Sequence, residues 1–430
     1  MKYTTTLPLF KIIGLMLFLI ASLTENALAN SNNTSIQPFE KLNNGLAQQP
    51  PMGWSSWNQF GVEINEQLII ETIDAMIQNG MKDAGYIYVN LDDGWQEDKG
   101  KRKNKPLVYD SEKFPNGIKY LSDYAHKKGM KLGIYSGPGE TTCAGYAGSK
   151  GYEKQDAEMF ASWNIDHLKY DACCSHVDAS KSEVQEAFYK MSKPLIENPR
   201  DIVLHACHCG WTDIWEWAGD LGANHWRIGQ DISDDFDYPK NREGYYFDVL
   251  DMLDRGKDLE QFNKPGQWND FDMLIVGLNG KSKELVGAGA SNIEYRAHFS
   301  LWSILSSPLL IGTDVRNLDA YTLETLTNKE VIALNQDSLG IQAKTVRKEG
   351  NIHILAKPMS DDSWAVAMLN RGSETQVISV NWLDDLGLDW KETKVRDLWQ
   401  HKDMGVFPNT YQDEVISHQV IMLRVYPKNH

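Results

Sequence analysis

Carboxylates and cations gather in a few short, otherwise apolar segments of this chain. In HLKYDACC (167–174), read as an extended strand, Lys169, Asp171 and Cys173 share one face while Leu168, Tyr170 and Ala172 share the other. The same alternation in HWRIGQD (225–231) aligns Arg227, Gly229 and Asp231. Asp92 and Asp93 close YIYVNLDD (86–93), and Asp270 and Asp272 lie in QWNDFDML (267–274). A carboxylate beside a cation stays ionised in a pocket. Two carboxylates across a pocket suit glycoside hydrolysis, in which one attacks the anomeric carbon and the other protonates the leaving oxygen. Spacing alone also allows plain ion pairs, Asp171 with Lys169 and Asp231 with Arg227, and a strand-end cap at Asp92 and Asp93.

Such residues need a scaffold that brings several strand ends together. Strand-like runs occur at 52–57, 86–93, 131–137, 167–173, 201–208, 225–231, 267–274 and 308–314. Between them lie amphipathic helical patterns, over 64–85, 117–130 and 182–195. This alternation predicts an α/β fold, a (β/α)8 TIM barrel over 50–340, whose strand C-termini carry the reactive groups. A doubly wound open sheet is the rival, but the first turn lacks its Gly-rich loop. After Gly340 the segments shorten, with strand patterns at 352–359, 364–371, 376–382 and 420–427 and no long helix. They predict a C-terminal antiparallel β-sandwich over 341–430.

Residues 1–29 read as a secretory signal peptide, with an apolar run over 12–23 and cleavage after Ala29. Residues 30–49 are polar and Asn-rich, a lead-in with sequons at Asn32 and Asn33. No later run approaches the length of a membrane span, so the mature chain is expected to be exported, periplasmic or secreted. A net charge of −16 argues against nucleic acid and anionic lipid as partners and favours a neutral substrate. The 14 Trp and 18 Tyr exceed the needs of the core and suit stacking on sugar rings. All 5 cysteines follow the cleavage point, so at least one bridge is expected and one cysteine is left over. His205, Cys207 and Cys209 share a face of HACHC, but three zinc-type ligands without a fourth do not make a metal site. Pairing of Cys207 with Cys209 or with Cys174 is the alternative there.

The ordered motifs PPMGWSSWNQF (50–60), YVNLDDGWQ (88–96), KLGIYSGPGETTCAGYAGS (131–149), HLKYDACC, HWRIGQDI (225–232), WNDFDML (268–274) and ALNQDSLG (333–340) closely resemble glycoside hydrolase family 27. This is the family of α-galactosidases and α-N-acetylgalactosaminidases. The resemblance implies a retaining exo-hydrolase of terminal α-galactosyl units, with an α-galactoside carbohydrate as substrate and no cofactor or metal. It assigns Asp171 as nucleophile and Asp231 as acid/base, with Lys169 and Arg227 supporting them. Asp92 and Asp93 would grip the axial 4-hydroxyl and the 6-hydroxyl, and Trp57 and Tyr135 would wall the apolar sugar face. Asp272 and Met273 would form the far rim. The resemblance further implies a Cys143–Cys173 bridge, leaving Cys174 as the extra cysteine. One position departs from the family, because the Glu of its C-E-W segment, which contacts the sugar 2-hydroxyl, falls on His208 here. The family alternatives are an α-N-acetylgalactosaminidase, a β-L-arabinopyranosidase and an isomaltodextranase. A galactoside-binding protein without activity is the alternative outside enzymes.

Overall fold

A computed structural model of the chain describes residues 39–238 and 247–428. The leader over 1–29 and the sequons at Asn32 and Asn33 lie outside these residues. Eight short parallel strands form one sheet: β1 (Met52–Ser55), β2 (Tyr88–Asn90), β3 (Lys131–Ser136), β4 (His167–Asp171), β5 (Val203–Cys207), β6 (His225–Arg227), β7 (Trp268–Asp270) and β8 (Leu309–Ile311). Their order runs β7-β6-β5-β4-β3-β2-β1-β8. The curl closes where the Leu274 amide donates to the Leu310 carbonyl at 2.7 Å and Gly312 donates to Leu274 at 2.9 Å.

The helices between these strands form for local reasons. In the helix Glu66–Gln78, buried Leu68, Ile69, Ile73 and Met76 recur at helical spacing, and the Asn65 side chain caps the start by accepting from the Leu68 amide. The single helix predicted over 64–85 is broken at Gly80, whose left-handed backbone separates it from the turn Met81–Ala84. Ser180 and Glu183 form a reciprocal capping box at the head of the helix Lys181–Glu197. That helix sets Phe188 edge-on against Tyr170 of β4 at 5.7 Å, so the outward face of the strand is buried while its inward face holds Lys169 and Asp171.

The expected polar lead-in is tied down from Leu42 onward. The Leu42 amide donates to Asp220, the Asn44 side-chain amide to Asn224 at 2.8 Å, and the Trp268 indole to Ala47 at 2.7 Å.

The second layer system is antiparallel. A six-stranded sheet orders β14 (Lys402–Phe407), β13 (Thr393–Asp397), β16 (Val420–Pro427), β11 (Trp364–Asn370), β10 (Ile352–Pro358) and β9 (Lys344–Glu349). It faces a two-stranded sheet of β12 (Gln376–Asn381) and β15 (Thr410–Val415). Ile354, Val366, Met368, Val380, Trp382, Tyr411 and Leu423 fill the space between them. The barrel helix Asn292–Ile304 packs on β11 and β16. Buried Lys357 of β10 crosses the seam and donates to the Ser306 hydroxyl and the Leu334 carbonyl, both at 2.7 Å.

Candidate active site

The strands are shorter than their sequence segments because each C-terminal end peels into a loop. Lys169, Asp171 and Arg227 remain on strands, while Asp92, Asp93, Asp231 and Asp272 sit just beyond them. At these strand ends lies a cavity of about 820 Å³, lined by Trp57, Asp92, Asp93, Tyr135, Lys169, Asp171, Asp231 and Met273. Cys143, Cys173, Cys174, Val177, Cys209, Trp211, Gln230 and Glu284 complete the wall. Trp211 lies in the HACHCGW segment, so its neighbourhood was legible, whereas Val177 and Glu284 carry no motif.

Asp171 is held from two sides. The Cys173 amide donates to its Oδ1 at 2.8 Å and the Tyr135 hydroxyl to its Oδ2 at 3.2 Å. Burial raises its pKa, and the charges of Asp231 and Asp92 add to this, while Lys169 and the Cys173 amide pull the other way. The Lys169 ammonium pairs directly with Asp92 Oδ2 at 2.8 Å and lies 5.2 Å from the Tyr135 ring centre. Burial disfavours that ammonium, yet Asp92 and Asp171 outweigh it and its pKa is raised.

Asp231 stands in a different setting. Its side chain is 51% exposed, and Arg227 Nη1 reaches its Oδ1 at 3.1 Å. Arg227 itself is buried, and its Nη2 lies 2.9 Å from Asp272 Oδ2. Asp272 is placed otherwise than at the rim expected for it. It is absent from the cavity wall and buried, with a left-handed backbone at φ 80°. There it accepts from the Ile232 amide at 2.8 Å, next to Asp231, and from its own successor Met273. Burial lifts its carboxyl to about 6 against the pull of Arg227. Asp272 thus ties Arg227 to the backbone next to Asp231.

Asp93 accepts from the Ala144 amide at 2.8 Å and the Gly94 amide at 2.9 Å, and burial still raises it to about 6. The Ser56 hydroxyl accepts from the Asp92 amide, fixing the turn that presents the pair.

His208 is likewise placed otherwise than expected. It is buried at 1% exposure, packs edge-on against Trp211 at 5.4 Å, and is absent from the cavity wall. Cys207, the last residue of β5, keeps the inward parity of the strand, so His208 turns outward before the backbone becomes left-handed at Cys209, φ 50°. Gly210 follows in the left-handed region, φ 70°, where a Cβ would come within 2.0 Å of the Ile228 carbonyl.

The cysteines are a correction to the sequence reading. Cys143 bridges Cys174, with Cα atoms 5.2 Å apart, and Cys173 bridges Cys209 at 5.7 Å. The free thiol is Cys207, buried, with its Sγ 3.4 Å from Cys173 Sγ. Cys173 and Cys174 leave the strand on opposite sides, so Cys174 meets the β3 loop and Cys173 the β5 loop. Cys209 is therefore unavailable to the three-ligand zinc set.

An α/β barrel ending in an antiparallel sandwich, with a sugar-sized cavity floored by carboxylates, a lysine and an arginine, defines a glycoside hydrolase architecture. Comparison with known proteins narrows this. Residues 49–337 match the family described as alpha galactosidase A, and residues 349–425 match the alpha galactosidase C-terminal beta sandwich domain. The chain is 45% identical over 362 residues to alpha-galactosidase 2 of Arabidopsis thaliana, covering 84% of this chain and 85% of that one. The crystal structure of alpha-galactosidase I from Mortierella vinacea superposes with a TM-score of 0.83 at 35% identity, covering 89% of this chain and 98% of that one. The Saccharomyces cerevisiae enzyme solved with raffinose gives 0.82 at 28% identity, covering 90% and 99%. The chain belongs to the α-galactosidase family, glycoside hydrolase family 27.

Proposed function

We propose that this enzyme removes terminal α-D-galactosyl units from oligo- or polysaccharides with retention of configuration. The observation that carries this reading is the contrast between two carboxyls on one cavity. Asp171 is fixed by an amide and a phenol beneath the sugar position, as a nucleophile must be, while Asp231 is half open to solvent. Asp171 attacks the anomeric carbon as Asp231 gives its proton to the departing oxygen, forming a galactosyl ester on Asp171. Asp231 then takes a proton from water, which attacks the same carbon and releases Asp171. Asp92 and Asp93 accept hydroxyl hydrogen bonds that an equatorial 4-hydroxyl would not reach, which separates galactose from glucose. Raffinose, with which the yeast relative was solved, is an oligosaccharide of this class.

The outward His208 leaves Cys209 and Trp211, without the family Glu, on the wall that follows β5. A panel of nitrophenyl glycosides tests the assignment. α-Galactoside should be cleaved with at least ~100-fold higher kcat/KM than β-L-arabinopyranoside or α-glucoside, a margin that lost hydroxyl contacts supply. Preference for α-N-acetylgalactosaminide would instead move the enzyme to the sister activity. We also infer export after loss of residues 1–29, whose apolar run over 12–23 and small residues Ala27 and Ala29 have the form of a secretory leader.

A further inference from the structure

Beneath the catalytic carboxylates the barrel interior changes chemistry. His167 of β4, His205 of β5 and His225 of β6 meet there, at 1%, 4% and 0% exposure. His225 Nδ1 lies 3.0 Å from Asp270 Oδ2, and His205 Nε2 lies 3.1 Å from the same oxygen, off the hydrogen-bond direction. The two rings stack with centres 4.0 Å apart and planes 19° from parallel, so both turn their second nitrogen away from Asp270. His167 Nε2 faces His225 Nε2 at 2.9 Å. One nitrogen from each ring lies within 4.8 Å of the others.

The protons of this cluster do not reach every nitrogen. Three uncharged imidazoles hold three N–H groups. Asp270 accepts one from His225 Nδ1, His167 gives one to His225 Nε2, and the third, on His205 Nε2, lies beside the Asp270 oxygen without forming a hydrogen bond. None is left for His205 Nδ1 or for His167 Nδ1, and the latter has no hydrogen-bond partner. The adjoining void of about 20 Å³ has room for one ion or water. It is lined by His167, His205 and Asn90, whose side-chain amide is also unpartnered. Around it Lys169 and Arg227 stand against Asp92, Asp270 and Asp272. Burial beside Lys169 and Arg227 disfavours an extra proton on these rings.

We propose that His167, His205 and His225 bind one divalent transition-metal ion, with Asp270 as the outer carboxylate that orients two of the rings. Uncharged imidazoles suit zinc, nickel or cobalt, whereas calcium and magnesium prefer oxygen. A carboxylate behind the ligating rings is the arrangement that fixes their tautomers in metal centres. The ion would brace β4, β5 and β6 below the nucleophile and the acid/base without touching substrate.

The test uses the full chain, produced with added Zn²⁺ or Co²⁺ and dialysed against metal-free buffer. Elemental analysis should find about one ion per chain, and the Co²⁺ form should show the visible absorption of a nitrogen-ligated ion. Zn²⁺ should raise the thermal midpoint of metal-stripped protein. Asp270→Asn should weaken Zn²⁺ binding about 10–100-fold. His205→Gln, checked for folding by circular dichroism, should lose the Co²⁺ absorption. Protein that carries no ion after such growth and gains no thermal stability from Zn²⁺ overturns the proposal. So does stoichiometric metal that survives unchanged in folded His205→Gln.

Discussion

The barrel mouth and the sandwich interior solve opposite problems. Between the sandwich sheets the inward positions are mostly apolar, from Ile354 and Val366 to Leu423, and strand alternation, burial and packing agree. At the mouth, inward positions of equally buried strands carry Lys169, Asp171 and Arg227, and the loops above them bring Asp92, Asp93 and Asp272. Burial raises the carboxyls of Asp93, Asp171 and Asp272, so the fold keeps charges where solvent would serve them better. Where local rules and the fold conflict, the conflict marks the place where substrate replaces water.

Substitutions at the mouth should cost activity and spare stability, and substitutions in the sandwich should do the reverse. The largest effect belongs to Asp171→Asn, which should lower kcat by ~10⁴-fold or more while galactose still binds, measured by kinetics and calorimetry. Lys169→Met removes the cation shared by Asp92 and Asp171, and kcat/KM should fall about 10²–10³-fold. Asp272→Asn should lower kcat about 10–100-fold with little change in KM, because it loosens Arg227 and the Asp231 loop rather than a sugar contact. Equal loss in KM would place Asp272 on the sugar after all.

The sharpest difference at the stability end is a pH effect. Asp93 titrates near about 6 in the fold against 3.8 in the free chain, so the folded state holds the proton more tightly. Its contribution therefore grows as pH falls from 7 through 6 toward 4. Wild type should gain about 1–3 kcal/mol relative to Asp93→Asn over that range, read from denaturant unfolding. Leu423→Ala in the sandwich should cost about 2–5 kcal/mol and leave kcat of the folded enzyme unchanged.

The same contrast explains what the sequence made legible. All eight barrel segments, and the placing of Asp171 and Asp231 on one cavity, could be read because period-two alternation and family motifs coincide there. Strands β9, β13, β14 and β15 escaped notice, since segments such as TKVRD and KDMGVF are half exposed and carry no apolar run. Cysteine pairing was misread because adjacent Cys173 and Cys174 diverge in space, which spacing does not encode. The places of His208 and Asp272 off the cavity wall were not legible, because a motif alignment ignores side-chain parity and nothing local announces a left-handed turn after β7. The buried His167, His205 and His225 cluster emerges only when three strands close side by side.

The account rests on Asp171 as the group that carries the sugar. The most direct measurement traps the enzyme with an activated 2-deoxy-2-fluoro α-galactoside and maps the labelled peptide by mass spectrometry. A galactosyl ester on Asp171 is the predicted result. A label on Asp231 or another residue, or turnover that releases β-galactose first with no adduct, would contradict it.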